Sequence, residues 1–498
     1  MPAPVVIDLD CSESPLRLLR AFHAGVYTRE FPDPDERELL ANMEDYLRRK
    51  SEGWHGRNNY HILLLLQEES GEIAGGVVAD YFACSNVGVI EFMVVDPAQQ
   101  GRGLGRRLLS EITHRFRVDA VRAGYAALCG ICGEVNDPYR RCEVQEHLDA
   151  FARLRMWHGF GFGLLDFPYV QPALSEGQEA VHGLGLMFRP ETEECRSSVP
   201  ARFVRQFVAD YQVWAMRIPE PEARPEFRRI AEWLRPHRDV RLLDMLDYIG
   251  EEPEPLFHPV EIRDGDHTRL AQFARVYQEC FSNDETAVEV SEFSRGTCTI
   301  TDGPLPHHYW LWGIIAAGEA ELSGLASFFS FPHCGFGGYV AIAAPLRGKG
   351  CFRRLLRLME RQIVQVNEVA SGWYVECEPD SVEAAIFKHC SFTEVPMTYR
   401  QPRLHTDMTG VSEGKHLELL YKPFGRVYGP PELSLEDLQR DLREILTRIY
   451  YLDASGVNTA MAKMTWPRGT ATDIFARTAP TVCQGGEPPE YSRSTRHT

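Results

Sequence analysis

One order of elements occurs twice along this chain, and that duplication limits the fold more than any single residue does. Tyr169-Val170-Gln171-Pro172-Ala173-Leu174 is followed, after a polar stretch, by Gly185-Leu186-Met187-Phe188-Arg189-Pro190. Tyr399-Arg400-Gln401-Pro402-Arg403-Leu404 is followed, after a similar gap, by Glu418-Leu419-Leu420-Tyr421-Lys422-Pro423. The same order precedes each. Tyr60 to Gln67, a turn at Gly71 and Ile73 to Phe82 read as a hairpin, and His308 to Ala316, Gly318 and Leu322 to Phe329 repeat it. A third strand then enters a glycine-rich loop and an amphipathic helix, over Val89 to Leu109 and Tyr339 to Leu356. Further strands, Tyr125 to Cys132 and Trp373 to Cys377, end in acidic, proline-containing turns. The repeat unit is therefore α/β, an α+β mixed sheet, and 498 residues suffice for two copies and their connections.

Spacing fixes the helices. Leu104, Leu108, Leu109, Ile112 and Phe116 share one face at the 3.6-residue period, as do Leu355, Leu356, Met359 and Ile363 in the second copy. Between the copies, prolines at 219, 221, 225, 236, 253 and 255 break a charged stretch into short helical pieces. Leu433 to Leu452 reads as a helix matching Phe203 to Met216. The expected division is a domain over 1–192, a helical connector over 193–258, a second domain over 259–425, a C-terminal helical appendage over 426–477 and a disordered tail over 478–498.

The loop after the third strand is the most specific segment. In Glu91-Phe92-Met93-Val94-Val95-Asp96-Pro97-Ala98-Gln99-Gln100-Gly101-Arg102-Gly103-Leu104-Gly105-Arg106-Arg107 a strand ends at Pro97, three glycines free the backbone, and a helix starts near Gly105. Unpaired amides then converge at a positive helix end, a geometry that receives a diphosphate. The Gly-Lys-Ser/Thr ending of a P-loop is missing, and the glycines are not spaced as in a dinucleotide fingerprint.

At these residues the chain resembles the GNAT superfamily of N-acetyltransferases, whose pyrophosphate loop is Arg or Gln, any two residues, Gly, any residue, then Gly or Ala. Gln100, Gly103 and Gly105 fill that pattern; in the second copy Arg347 and Gly350 fit, but Phe352 replaces the last small residue. The resemblance spans roughly 1–192 and again 259–425. It implies two tandem domains of that fold, with acetyl-CoA as co-substrate held by Met93, Val94, Val95, Gln100, Gly101, Arg102, Gly103, Leu104, Gly105, Arg106 and Asn136. It implies a small-molecule amine as acceptor, and no metal is expected because no Cys or His group has ligand spacing. Acetyl transfer requires a base, an oxyanion site and protonation of the leaving thiolate. Glu91, on the strand entering the loop, is the candidate base, and Glu134 offers a second carboxylate where the next strand ends. The family's thiolate-protonating Tyr is replaced by Trp157, and by Phe387 in the second copy, leaving Tyr169, His158 or water for that task. Tyr339 aligns with Glu91, so the second copy reads as degenerate.

Composition closes off other classes. With 53 basic and 71 acidic residues the net charge is -18, and no basic stripe offsets the repulsion a nucleic acid would meet. The 13 cysteines lack framework spacing and read as reduced thiols; Cys129-Gly130-Ile131-Cys132 lies on an expected strand, where its two thiols face opposite sides. The start Met1-Pro2-Ala3-Pro4 has no leader pattern and no run reaches the length of a spanning helix, so no membrane is expected and the cytoplasm is the default location. Two other readings stay open: decarboxylation of a malonyl or other acyl thioester on the same scaffold, and a CoA-binding scaffold without turnover.

Overall fold

The structure, a computed structural model, describes residues 4–32, 37–140, 149–173, 179–281, 288–296, 307–367, 369–402, 414–467 and 474–475. The expected tail over 478–498, Leu174, Arg403 and Leu404 of the repeated motif, and Arg141 to Glu143 lie outside them. Two compact units emerge, Met1–Pro255 with Arg354–Arg361, and Leu256–Arg353 with Gln362–Thr498.

The first unit is built on a nine-stranded mixed sheet. Its strands are β1 (Val5–Asp8), β2 (Asn59–Leu66), β3 (Ile73–Phe82), β4 (Val87–Val95), β5 (Gly130–Asn136), β6 (Gly163–Leu165), β7 (Leu184–Pro190), β8 (Ser198–Pro200) and β9 (Asp239–Leu243). They lie in the order β1-β2-β3-β4-β5-β7-β6-β9-β8. The β2 and β3 runs are apolar at nearly every position because helices cover both faces, and both strands are buried along almost their whole length. The helix Leu104–Arg122 buries Leu104, Leu108, Leu109, Ile112 and Phe116, the face its spacing assigned.

The second unit repeats the plan with β10 (Phe257–Glu261), β11 (His308–Ala316), β12 (Leu322–Ser330), β13 (Gly335–Ile342), β14 (Gly372–Cys377), β15 (Thr393–Glu394), β16 (Tyr399–Gln401) and β17 (Lys415–Pro423). Their path is β10-β11-β12-β13-β14-β17-β15, with β16 also on β17. The helix Cys351–Val366 follows β13 as Leu104–Arg122 follows β4.

The stretch expected to be a helical connector is only partly helical. It holds the helices Ala201–Trp214 and Pro225–Leu234, but β8 and β9 extend the first sheet and β10 opens the second. In β9, Val240 is buried between exposed Asp239 and Arg241, a period-two signal too short to stand out among charges. The strand expected over Tyr125 to Cys132 starts later, at Gly130, because Tyr125 closes the preceding helix through its amide to Ala120 O at 2.9 Å.

Gly88 in β4 lets that helix approach: a Cβ there would stand 2.2 Å from the Phe116 ring, which is fully buried. Gly88→Ala should therefore destabilise the first unit by about 1–3 kcal/mol, measured by urea denaturation, since the ring has no free volume into which to retreat.

Candidate active site

Two parallel strands that part company create the site. β4 and β5 pair from Val87 with Gly130 to Ile90 with Gly133 and then separate, while β4 stays on β3 to Val95 and β5 stays on β7 to Asn136. Past the last pair, the β5-facing edge of β4 lines an open wedge. Glu91 and Glu134 are the first residue of each strand beyond it. Glu91 is also the extra residue of a β-bulge, between Ile90 opposite Ala79 and Phe92 opposite Val78, and a bulge re-aims a side chain.

Its carboxyl meets that of Asp80 on β3, and the two are hydrogen-bonded. Burial pushes Asp80 up to about 6 against the opposing hydrogen bond from Glu91. Burial, then the charge of Asp80, drives Glu91 well above the carboxylate range, with Glu38 and Glu134 adding to it. Two carboxyls this close cannot both ionise cheaply, so the pair holds a proton in common. Around it stand Tyr27, Tyr46 and Tyr60, each with its hydroxyl pushed up first by burial and then, among its neighbours, by Glu91. The Tyr60 hydroxyl is buried without a hydrogen-bond partner.

Glu134 faces a different environment. Tyr169 Oη donates to its Oε1 at 2.5 Å, and Gln171 Nε2 and Tyr211 Oη donate to Oε2, both at 3.0 Å. The second unit repeats this around Glu376, with Tyr399, Gln401 Nε2 at 2.8 Å and Tyr450 Oη at 2.6 Å. The Tyr-x-Gln motif seen twice in the sequence is thus a clamp: alternate residues of one extended segment reach one carboxylate. Burial and Glu134 raise the Tyr169 hydroxyl far above its ordinary range, which makes it a poorer proton donor.

The loop has the expected form. Gly101 and Gly103 adopt φ of 76° and 75°, and Gly103 caps the helix without any side-chain hydrogen bond, so the first-turn amides of Leu104, Gly105 and Arg106 point outward unpaired. Gln100 Nε2 braces the strand end through Val95 O at 3.2 Å, and Arg347 Nε does the same to Ile342 O at 2.8 Å in the second unit. Arg102 reaches Gln99 Oε1 at 2.8 Å; Arg106 reaches Gly159 O at 3.1 Å and lies over the Phe160 ring. Met93, Val94 and Val95 lie along the wedge edge of β4, and Asn136 ends β5 opposite Leu184. Trp157 is buried against Phe160 and Phe162, and His158 Nδ1 stands 3.6 Å from Asp244.

The second unit differs where the chemistry would be. Its wedge opens after Gly337 with Val375, so Gly338, not Tyr339 as the sequence alignment had it, occupies the place of Glu91. The aromatic packing agrees: Phe92 meets Tyr27 and Phe31 at 5.1 Å each, and Tyr339 meets Tyr277 and Phe281 at 5.1 and 5.2 Å. The loops agree with this register, since Glu91 precedes Gln100 by nine positions and Gly338 precedes Arg347 by nine. The sheet register also sets Phe329 where Asp80 stands, so neither carboxylate of the pair recurs. Asp80, Glu38, Tyr60 and Tyr211 were missed from the sequence, although a single acid inside the apolar run Ile73–Phe82 was a usable signal.

Because both acids of the pair titrate above their unfolded range, the folded state binds protons more tightly, and its stability falls as pH rises past the ordinary carboxylate range. Asp80→Asn should melt above the native protein at pH 8, by about 1–3 kcal/mol, with the gap closing near pH 4; calorimetric scans across that range measure it.

Among the described residues no group of three His, Cys, Asp or Glu is arranged to hold a metal ion, and no helix is long and apolar enough to cross a membrane. No curated protein sequence matches the chain. Solved structures resemble parts of it weakly. A tandem GNAT protein of the clavulanic acid biosynthesis pathway is 10% identical over 85% of this chain and 100% of its own, with a TM-score of 0.27. The ribosomal-protein-S18-alanine N-acetyltransferase of Escherichia coli is 15% identical over 37% of this chain and 94% of its own, at 0.23. An N-acetyltransferase of Thermoplasma acidophilum in complex with coenzyme A is 11% identical over 38% and 99%, at 0.26. Likenesses of this size carry no argument about function. The model of the acetyltransferase (GNAT) family matches residues 23–128, the stretch that holds Asp80, Glu91 and the loop.

Proposed function

We propose that the first unit transfers an acetyl group from acetyl-CoA to the amine of a small molecule, with the Glu91–Asp80 pair as base. The observation that carries this reading is a shared-proton carboxyl pair at a β-bulge beside a wedge that ends in a loop of unpaired amides. Gly101 and Gly103 leave open space where side chains would crowd a diphosphate, and Arg102, Arg106 and the outward amides supply its counter-charge. The thioester arm then lies in the wedge, where amides of Met93 to Val95 face the carbonyl oxygen.

The chain's own groups handle the protons. An arriving ammonium meets the single negative charge of the pair and gives it one proton. The freed nitrogen forms the C–N bond as the C–S bond breaks, its second proton goes through water to the departing sulfur, and the pair returns its proton to solvent. Trp157 has no acidic hydrogen to offer the sulfur, and Tyr169 is committed to Glu134. We assign Glu134, Tyr169 and Gln171 to holding the wedge open. The acidic surroundings of Glu91 favour a cationic acceptor over a malonyl carboxylate, which they would repel. We assign the second unit, lacking the carboxyl pair and carrying Phe352 where Gly105 stands, a structural part.

Glu91→Gln should lower kcat by about 10²–10⁴-fold while leaving the acetyl-CoA dissociation constant within twofold of native, read by thiol release and calorimetry; unchanged kcat would remove Glu91 from the role of base. The acid limb of kcat/KM should fall near the value of about 6 to which Asp80 is pushed, and should move in Asp80→Asn. Gly103→Val, placed at φ 75°, should weaken acetyl-CoA binding at least about tenfold, and binding that survives it would put the nucleotide elsewhere.

A further inference from the structure

The two appended helices end in the same way and present different residues. Ala201–Trp214 is capped by Ala215 and Leu435–Arg448 by Ile449, and two residues beyond each cap lie Arg217 at φ 57° and Tyr451 at φ 53°. The next amide returns to the helix in both, Ile218 N to Gln212 O at 2.8 Å and Leu452 N to Leu446 O at 3.2 Å. Such a terminator ordinarily carries glycine at the left-handed position, because a Cβ there is strained. Strain of this kind persists where the surroundings fix it, and it collects at functional sites.

Arg217 is fixed in this way. Its guanidinium lies 4.0 Å over the Tyr46 ring and 4.5 Å over the Trp54 ring. Its Nε is buried with no hydrogen-bond partner, and among the described residues no carboxylate stands within ion-pair distance of it. The charge nonetheless acts on Glu38, Asp80 and His55, which places it beside the carboxyl pair. Two neighbours are orphaned as well: His55 Nδ1 and the Tyr60 hydroxyl are buried without partners, and the two rings stack at 6.3 Å. Burial keeps His55 neutral, down to about 4, so its ring still has one N–H to give. All three orphans can donate. What is missing is an acceptor, and a guanidinium stacked on aromatic faces keeps its edge free for a carboxylate.

The duplication supplies a control. Where Tyr451 replaces Arg217, Phe329 and Gly338 replace Asp80 and Glu91, so the first copy has both the cation and the carboxyl pair and the second has neither. We propose that Arg217 binds a carboxylate of the acceptor, so that the molecule acetylated by the first unit is amino-acid-like, with a cationic amine held at Glu91 and Asp80 and an anionic group held at Arg217. This rests on the transferase reading above.

The test uses the full chain with saturating acetyl-CoA, thiol release as the readout, and a panel of common α- and ω-amino acids paired with their carboxamides. For the best acceptor, kcat/KM for the acid should exceed that for the amide by at least about tenfold, and the ratio should collapse toward one in Arg217→Gln. Arg217→Gly, which relieves the backbone, keeps the fold and should give the same collapse. A native ratio of one or less, or a ratio that survives both substitutions, overturns the inference and leaves the transferase reading standing. A native protein that releases no thiol with any member of the panel, acid or amide, overturns that reading and the inference with it.

Discussion

A half-buried carboxylate held by three donors organises each half of this protein. Glu134 sits at the first position beyond the last β4–β5 pair, and an acid half-buried there is best tolerated when its oxygens are satisfied. The donors come from separate stretches: Tyr169 and Gln171 from the segment before β7, Tyr211 from the helix Ala201–Trp214. One carboxylate thereby ties β5, an extended segment and the appended helix together at the mouth of the wedge. Glu376 does the same with Tyr399, Gln401 and Tyr450. The third tyrosine reaches its carboxylate from a different place on its helix, four residues before the cap in the first unit and one after it in the second. What recurs is the hydrogen bond, reached by two backbone routes.

With the frame common to both units, the differences stand out as chemistry. Bulge, wedge, braced loop and left-handed helix terminator all recur. The carboxyl pair, the small residue at the start of the loop helix and the arginine after the appended helix do not. A buried pair of acids lowers stability at neutral pH, and a non-glycine residue at a left-handed position is strained. The first unit bears both burdens, and a framework alone has no use for either.

The electrostatics of the wedge follow from its exclusion of water. Asp80 is 6% exposed, so its removal from water raises its proton affinity against the pull of its neighbours. Glu91 lies against it, the cations His61, Arg217 and Lys50 act on it, and among the described residues Arg217 has no carboxylate within ion-pair distance. A zwitterionic guest completes such a site with both of its charges.

By itself the sequence determined the duplication, the mixed sheets, the loop and its glycines, and the apolar faces of both loop helices, because each is written in local periodicity or in residues whose backbone freedom is special. It also marked Glu91, Glu134 and the Tyr-x-Gln motif without revealing that Tyr169 and Gln171 belong to Glu134. Only the tertiary structure decided which groups meet. Asp80 is eleven positions from Glu91 and becomes its partner through antiparallel register and a bulge; Arg217 arrives from beyond the first repeat. The alignment of Tyr339 with Glu91 failed for a related reason, since an apolar strand carries no local mark of its register, whereas sheet pairing places Gly338 there. Contacts between distant segments are set by how strands pair and part, and no local pattern encodes them.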